Sequence, residues 1–347
     1  MNQIKKVYAA YSMQLELRKK SSSGAVFSLI ARNILEQNGV VYGVAMSRDL
    51  SSAEFVRAGT EEELSRLRGS KYLQAKAGKV FLRVREDLEN GLTVLFTGTG
   101  CQIMGLRSFL NKDYESLYCV DVVCHGVPSP KLWREYVDYL EEKHGSRLVD
   151  VDFRCKDKGE SAVAKLQPDH NKTVLYNVKD SDPYMLMFLR NYSLRPSCYE
   201  CAAKTRNSAD LSVADFWGIN EVMRSMNDKD GVSLVIARTK KGCELFDGVK
   251  DKVVWKETSY ETGVKKNSAV YSSVKRPSQR DSFFIDMEAM SFEELRTKYA
   301  VPAETPLKIK IKNAVKKTAQ RVPISKIRRL SAGAMNFGMA FTLEKKK

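Results

Sequence analysis

The chain has 347 residues, with 58 Lys/Arg against 42 Asp/Glu and 43% apolar residues. That composition specifies a packed globular protein large enough for one large or two ordinary domains, and it excludes disordered, collagen-like and small disulfide-scaffold classes. The formal charge of +16 is uneven: residues 307–347 hold twelve Lys/Arg and one acid, Glu344, so the first 306 residues carry only +5.

Such a distribution argues against nucleic acid as a partner, because the basicity rests on a tail and not on the body. No run of the sequence approaches the roughly 18 apolar residues of a membrane span. The start, MNQIKKVYAAYSMQLELRKK, lacks the apolar stretch of a signal peptide. Seven cysteines without an export signal point to a reducing cytosol, where thiols serve as ligands, nucleophiles or core residues before disulfides.

In chain order, Ser21 to Gln37 places Val26, Leu29, Ile30, Ile34 and Leu35 on one helical stripe, with Ser21 to Ser23 expected to cap it, and VVYGVAM follows as a buried strand. From Thr93, TVLFTG reads as a strand, GTG as a turn, CQIMGLRSFL as a helix and LYCVDVV as a second strand, followed by CHGVPSP and a helix from about Lys131. This βαβ unit predicts a partly parallel sheet with sites at the C-terminal strand ends, where Thr97 to Cys101 and Cys124 to Gly126 fall. VDVDFRC, DLSVADFWG and VSLVIART are further strands, and PYMLMFLRNY and Lys241 to Phe246 further helices. The expected fold is α/β or α+β, with a mixed, partly parallel sheet flanked by helices. Three regions are expected: 1–112, 113–290, and a basic tail over 291–347 that becomes an amphipathic helix beyond Pro306.

Cys198 and Cys201 form a C-x-x-C pair, a spacing that suits one metal or cluster, or a redox disulfide. If the two strands of the βαβ unit are neighbours, Cys101 and Cys124 reach one sheet edge and can complete a set of four thiols. Cys119 and Cys243 read as core residues, and Cys155 is open. The GTGCQ turn is an anion site or a plain tight turn, and SSSG at 21–24 an anion site or a helix cap. His125 follows Cys124 directly; adjacent residues on an extended loop point apart, which argues against a Cys/His nucleophile pair. Asp215 reads as a turn cap and Trp217 as a core aromatic or a cofactor shield.

Taken together, GTGCQIMGLRSFL, VDVVCHGVPSPKLW, LRPSCYECAAKTRNSADLSVADFWGI and DKDGVSLVIARTKKG resemble the coenzyme F420 hydrogenase/dehydrogenase β-subunit family and relatives such as 7-hydroxymethyl chlorophyll a reductase. KKSSSGAVFSLIARNIL and RLRGSKYLQ are similar to its N-terminal part, and the likeness spans roughly residues 6–285. The resemblance implies a flavoprotein with FAD or FMN and a [4Fe–4S] cluster, passing electrons from an iron–sulfur donor such as a ferredoxin to a small hydride acceptor. It implies cluster ligands at Cys101, Cys124, Cys198 and Cys201. It implies flavin contacts at Ser22, Ser23 and Gly24, at Gly69, Ser70, Lys71 and Tyr72, and at Thr97, Gly98, Thr99 and Gly100, with His125 and Arg154 nearby as catalytic candidates.

The sequence departs from the family where GTG replaces GTP, where SSSGA lacks a second glycine, and where FRCKDKGE places Cys155 after Arg154, making that thiol a further candidate ligand. No ferredoxin-like cysteine run precedes the motifs, so a separate protein is expected to deliver electrons. Short relatives of this kind resemble proteins of surface-polysaccharide biosynthesis. The expected location is the cytoplasm, with the tail at 307–347 a candidate for peripheral contact with the inner membrane face or for an acidic partner. The competing expectation is a non-catalytic zinc-binding or scaffold protein of a glycan-assembly complex.

Overall fold

The strand–turn–helix–strand run from Thr93 builds the centre of the molecule. A computed structural model describes residues 6–156, 161–166, 173–176 and 182–301. In chain order its first half comprises β1 (Lys6–Ser12), α1 (Leu15–Lys19), α2 (Val26–Glu36), β2 (Val40–Met46), β3 (Ala53–Ala58), α3 (Glu61–Ser65), β4 (Ala75–Lys76), α4 (Val80–Glu89), β5 (Val94–Thr99), α5 (Gly100–Leu110), β6 (Leu117–Val122) and α6 (Pro130–His144). There follow β7 (Leu148–Cys155), β8 (Ser161–Leu166), β9 (Thr173–Tyr176), α7 (Pro183–Leu189), β10 (Leu211–Asp215), α8 (Ile219–Val222), β11 (Ser233–Ala237), α9 (Lys240–Asp247), β12 (Val253–Glu257), α10 (Tyr260–Val264), α11 (Arg280–Ala289) and α12 (Phe292–Tyr299).

Nine strands form one mixed sheet in the order β12-β1-β11-β10-β6-β5-β2-β3-β4. The neighbours β10, β6, β5 and β2 run parallel, with Thr99 opposite Val122 and Val122 opposite Val213. Strand β11 is antiparallel to both β10 and β1, so β1 points the same way as the parallel core. The C-terminal ends of five strands therefore share one edge, as the βαβ reading predicted. Strands β5 and β6 straddle residue 112 and pair along their whole length, so the two expected N-terminal regions contribute to a single sheet. A second, antiparallel sheet of β7-β8-β9 was not foreseen beyond its first strand.

The serines expected to cap α2 do not do so. Ala25, in the left-handed region at φ 65°, takes the capping position without a side-chain bond. Ser21 Oγ donates to Leu17 O at 2.8 Å, Ser22 Oγ lies 2.9 Å from Ser70 Oγ, and Ser23 Oγ donates to Val232 O at 3.0 Å. The reason is Gly24, which is pressed so closely on β1 and β11 that a Cβ there would sit 2.4 Å from Ala10 O. The turn is thus pinned to the sheet before the helix begins.

One core cluster gathers around Trp133 of α6, fully buried, whose indole N–H donates to Leu50 O at 2.7 Å so that no polar group is stranded. Helix α6 begins at a Ser129 cap with Pro130 at its first turn and ends at Gly145, φ 57°. Phe292, Leu295 and Tyr299 of α12 are buried in the same cluster, so residues 291–300 pack with the body. Cys119 is fully buried, the core residue expected, and Cys243 is half-buried on α9. The basic tail from 302 lies outside the described residues. No helix among the described residues is long and apolar enough to cross a membrane.

Candidate functional site

The shared sheet edge carries two groups of side chains. The first contains thiols. Cys101 is exposed in the first turn of α5, its Sγ 3.1 Å from Thr99 Oγ1, and that turn is set by the Thr99 capping box with Gln102. Cys124 is half-buried just beyond β6, and the C-x-x-C of Cys198 and Cys201 follows α7 on a loop tied back to it: Arg195 N–H donates to Val127 O at 3.0 Å, and Pro128 bridges Leu194. Lys204 Nζ donates to Cys124 O at 2.5 Å and also to Ala269 O.

These thiols feel one another. Burial pushes Cys124 up to about 12, with Lys204 opposing and with Cys198 and Cys101 adding to the rise. Burial also raises Cys198, a Val127 backbone N–H opposes this, and Cys101 and Cys201 raise it further. Residues a hundred positions apart in sequence are therefore electrostatic neighbours. Among the described residues no group of three or more His, Cys, Asp or Glu side chains stands close enough to hold a single metal ion.

His125 is held by its Nε2–H, which donates to Asn191 Oδ1 at 2.6 Å, and its ring meets Phe188 edge-on; burial lowers its pKa against that hydrogen bond, and the Lys204 charge acts in the same sense as burial. Behind the α5 turn, Gly100 has no room for a side chain, since a Cβ would lie 2.9 Å from Ala203 Cβ. Asp121 is buried there with Oδ2 accepting from Asn207 Nδ2 at 2.9 Å and Oδ1 without a partner among the described residues. Burial raises its pKa, against hydrogen bonds from Ser212 and Asn207 and the charges of Arg238 and Lys204.

The second group surrounds the serine turn. Arg154, from β7 of the smaller sheet, reaches Asp215 Oδ2 at 2.6 Å, Ser22 O at 3.4 Å and Tyr72 Oη at 3.5 Å, with its guanidinium 5.7 Å from the centre of the Trp217 ring. Lys156 Nζ donates to three carbonyls, Arg18 O, Ser23 O and Asp230 O, each at 2.7 Å. Burial lowers it to about 8, and the nearby Arg18 guanidinium acts in the same sense. Ser70 N–H donates to Ser22 Oγ at 2.9 Å, while Lys71 Nζ turns to Arg66 O at 2.9 Å and Arg68 O at 2.6 Å and is lowered by burial to about 7. Among the described residues no carboxylate pairs with either ammonium.

The structure thus joins Ser22, Ser23, Gly24, Ser70 and Arg154. Gly69, at φ 79°, has open space where a side chain would be. Thr97 lies further along the edge, its hydroxyl donating to Tyr42 O at 2.9 Å, and Gly98 packs against Gln102 and Phe55. Asp215 is an ion-pair partner and not the turn cap expected, and Trp217, 47% exposed, is not a core residue. Cys155 ends β7 between Arg154 and Lys156, whose contacts run to the serine turn and not to the thiols. Sequence reasoning missed Lys156, Lys204, Asn191 and the Arg154–Asp215 pair. A half-buried Lys and Arg two apart at a strand end carry no local signature, because their partners Arg18, Ser22, Ser23, Asp215 and Asp230 lie far away in sequence.

The chain matches the two halves of the coenzyme F420 hydrogenase/dehydrogenase beta-subunit family, the N-terminal half over residues 7–81 and the C-terminal half over residues 91–262. The chain belongs to this family. Among solved structures, it is similar to a chain of the F420-reducing [NiFe] hydrogenase complex from Methanosarcina barkeri, at 16% identity and a TM-score of 0.50, covering 88% of this chain and 97% of that one. No curated protein matches. At that identity the structural likeness concerns the fold, and the two matched family segments together take in both the serine turn and the four cysteines of the edge.

The donor chemistry of the edge suits the two groups that the family resemblance implies. Four thiols from three segments, with an ammonium beside them, suit an anionic iron–sulfur cluster. One carbonyl-solvated lysine, Lys156, and Arg154 beside a serine–glycine turn suit the pyrophosphate and the electron-rich ring edge of a flavin.

Proposed function

We propose that this oxidoreductase holds a [4Fe–4S] cluster on Cys101, Cys124, Cys198 and Cys201 and FAD or FMN along the serine turn, and moves electrons from an iron–sulfur donor to a small hydride acceptor. The observation that carries the reading is the placement of Cys101 in the first turn of α5 and Cys124 just beyond β6 at one strand-end edge, with the C-x-x-C loop after α7 tied to the same edge through Arg195 N–H to Val127 O and Lys204 Nζ to Cys124 O. Core cysteines have no reason to gather at a strand-end edge, and a lone tight turn needs only one of them.

When bound, the two cofactors supply one-electron transfer and two-electron hydride chemistry respectively. The chain's own residues do the rest. Ser22, Ser23 and Ser70 order the turn, Gly24 lets it lie against β1, and Arg154, fixed by Asp215, holds a positive charge at its rim. Lys71 and Lys156 supply charge that burial and neighbouring guanidinium groups disfavour, so an anion beside them is favoured. Neutral His125, held by Asn191, presents its other ring nitrogen as an acceptor. Lys204 offsets negative charge gathered on the thiols.

The cytoplasm is the proposed location, from the cysteine content, and surface-polysaccharide assembly the proposed setting, from the resemblance alone. The reading is tested by the visible spectrum of the chain purified without oxygen. Flavin bands with a broad shoulder near roughly 400 nm that bleach on adding dithionite are expected; a colourless protein overturns it.

A further inference from the structure

The excess positive charge of the body is local. Residues 195–206 and 265–276 together hold seven Lys/Arg and one acid, Glu200, a net of six positive charges, while the whole of the first 306 residues carries only five. Hydrogen bonds hold the two segments together around the C-x-x-C pair. Cys201 N–H donates to Ser273 Oγ at 2.9 Å, Lys204 Nζ bridges Cys124 O and Ala269 O, and the Arg280 guanidinium donates to Leu194 O at 3.0 Å while lying 5.6 Å from the Tyr199 ring.

Lys204 is turned inward, and the other six cations, Arg195, Arg206, Lys265, Lys266, Lys275 and Arg276, are exposed. Lys266 and Arg276 pair with Glu221 and Asp281. Among the described residues no carboxylate pairs with Arg195, Arg206, Lys265 or Lys275. Tyr271, 49% exposed, lies on the same segment as the lysines.

We propose that this cationic rim is the docking surface for the electron donor, and that the donor is a small electron-carrier protein with an acidic face. The inference rests on the proposed redox role of the four thiols and adds the place and chemistry of the partner. A field of one sign around a site raises encounter rates with oppositely charged proteins and orients them. Unpaired surface cations cost solubility nothing and gain little inside the chain, whereas they gain a partner here. The rim segments carry Cys198 and Cys201 and reach Cys124 through Lys204, thiols at which electrons would enter, and the single exposed aromatic of these segments offers no stacking ladder of the kind that binds single-stranded nucleic acid.

The test measures equilibrium binding of the full chain to an acidic [4Fe–4S] ferredoxin by biolayer interferometry, with iron and flavin assayed in the same samples. The Arg206→Glu/Lys275→Glu variant is compared with Lys112→Glu/Lys240→Glu, which changes the charge equally at the opposite sheet edge. The expected result is at least a tenfold weaker Kd for the first variant, little change for the second, and affinity that falls steeply with salt. Equal effects of both variants, no measurable association of the parent, or binding of anionic vesicles or a single-stranded oligonucleotide that the first variant alone abolishes would overturn the proposal. Because binding is read without turnover, lack of iron and flavin in a chain that still binds through the rim would count against the redox reading and not against the surface.

Discussion

The Arg154 guanidinium and the Asp215 carboxylate meet at 2.6 Å although they belong to different sheets, β7 of the small one and β10 of the large one. Both are largely buried, at 11% and 21% side-chain exposure, and Arg154 also touches Ser22 O and Tyr72 Oη. Removing the carboxylate leaves a guanidinium without its charged acceptor. Asp215→Asn is therefore expected to cost roughly 1.5–3 kcal/mol, read as a lower denaturant midpoint at unchanged m-value, and to release flavin more readily than the parent.

Gly24→Ala tests the pinned serine turn. The added Cβ would lie 2.4 Å from Ala10 O and 2.9 Å from Ser233 N, both backbone atoms that cannot swing aside. The expected loss is about 1–3 kcal/mol or more, visible as a lowered Tm. An alanine tolerated there without loss would contradict the close approach of the turn to β1 and β11.

Much of this architecture was legible in the sequence, and the reasons are local. The parallel β5–α5–β6 unit announced itself through two apolar runs separated by a glycine turn and a 3.6-residue stripe, so that neighbouring strands would bring Cys101 and Cys124 to one edge. Ser21 to Ser23 misled because a Ser-rich run before an apolar stripe has the same local pattern whether it caps the helix or bonds across the chain. What decides is Gly24 against β1 and against Ser233 of β11, the latter a contact between distant positions. Arg154 with Asp215, and Lys156 with its three carbonyls, are likewise pairings across more than fifty residues. Asp215, expected as a turn cap, was misread for that reason.

Lys71 should titrate near neutrality. Its pKa in the folded chain, lowered by burial to about 7, lies below the ordinary lysine value, so between those two values the unfolded chain binds more protons than the folded one. Stability from this group therefore rises with pH from about 7 toward 10 and is least below 7, where the folded chain must bear the buried charge. A 13Cε chemical-shift titration is expected to give a midpoint near that value in the flavin-free chain. The Lys71→Met variant is expected to flatten the pH dependence of the unfolding free energy over the same range; an unchanged slope would contradict the burial of the ammonium.

Thiol alkylation orders the cysteines. In the iron-free chain at pH 7, exposed Cys101 is expected to react with iodoacetamide much faster than Cys119, whose thiol burial pushes up to about 12 and which has no exposed surface. Cys124, also pushed up to about 12, should lag Cys101 as well. Iron reconstitution is expected to protect Cys101 while leaving Cys119 as it was, read by mass spectrometry of peptides; no protection would separate Cys101 from the proposed ligand set.

The most direct measurement is iron and acid-labile sulfide per chain across seven oxygen-free variants, one Cys→Ala replacement for each cysteine. The account predicts about four iron in the parent chain, with loss in the variants at Cys101, Cys124, Cys198 and Cys201 and retention in those at Cys119, Cys155 and Cys243. Iron that survives removal of any of the first four, or a single zinc in place of iron, would contradict it.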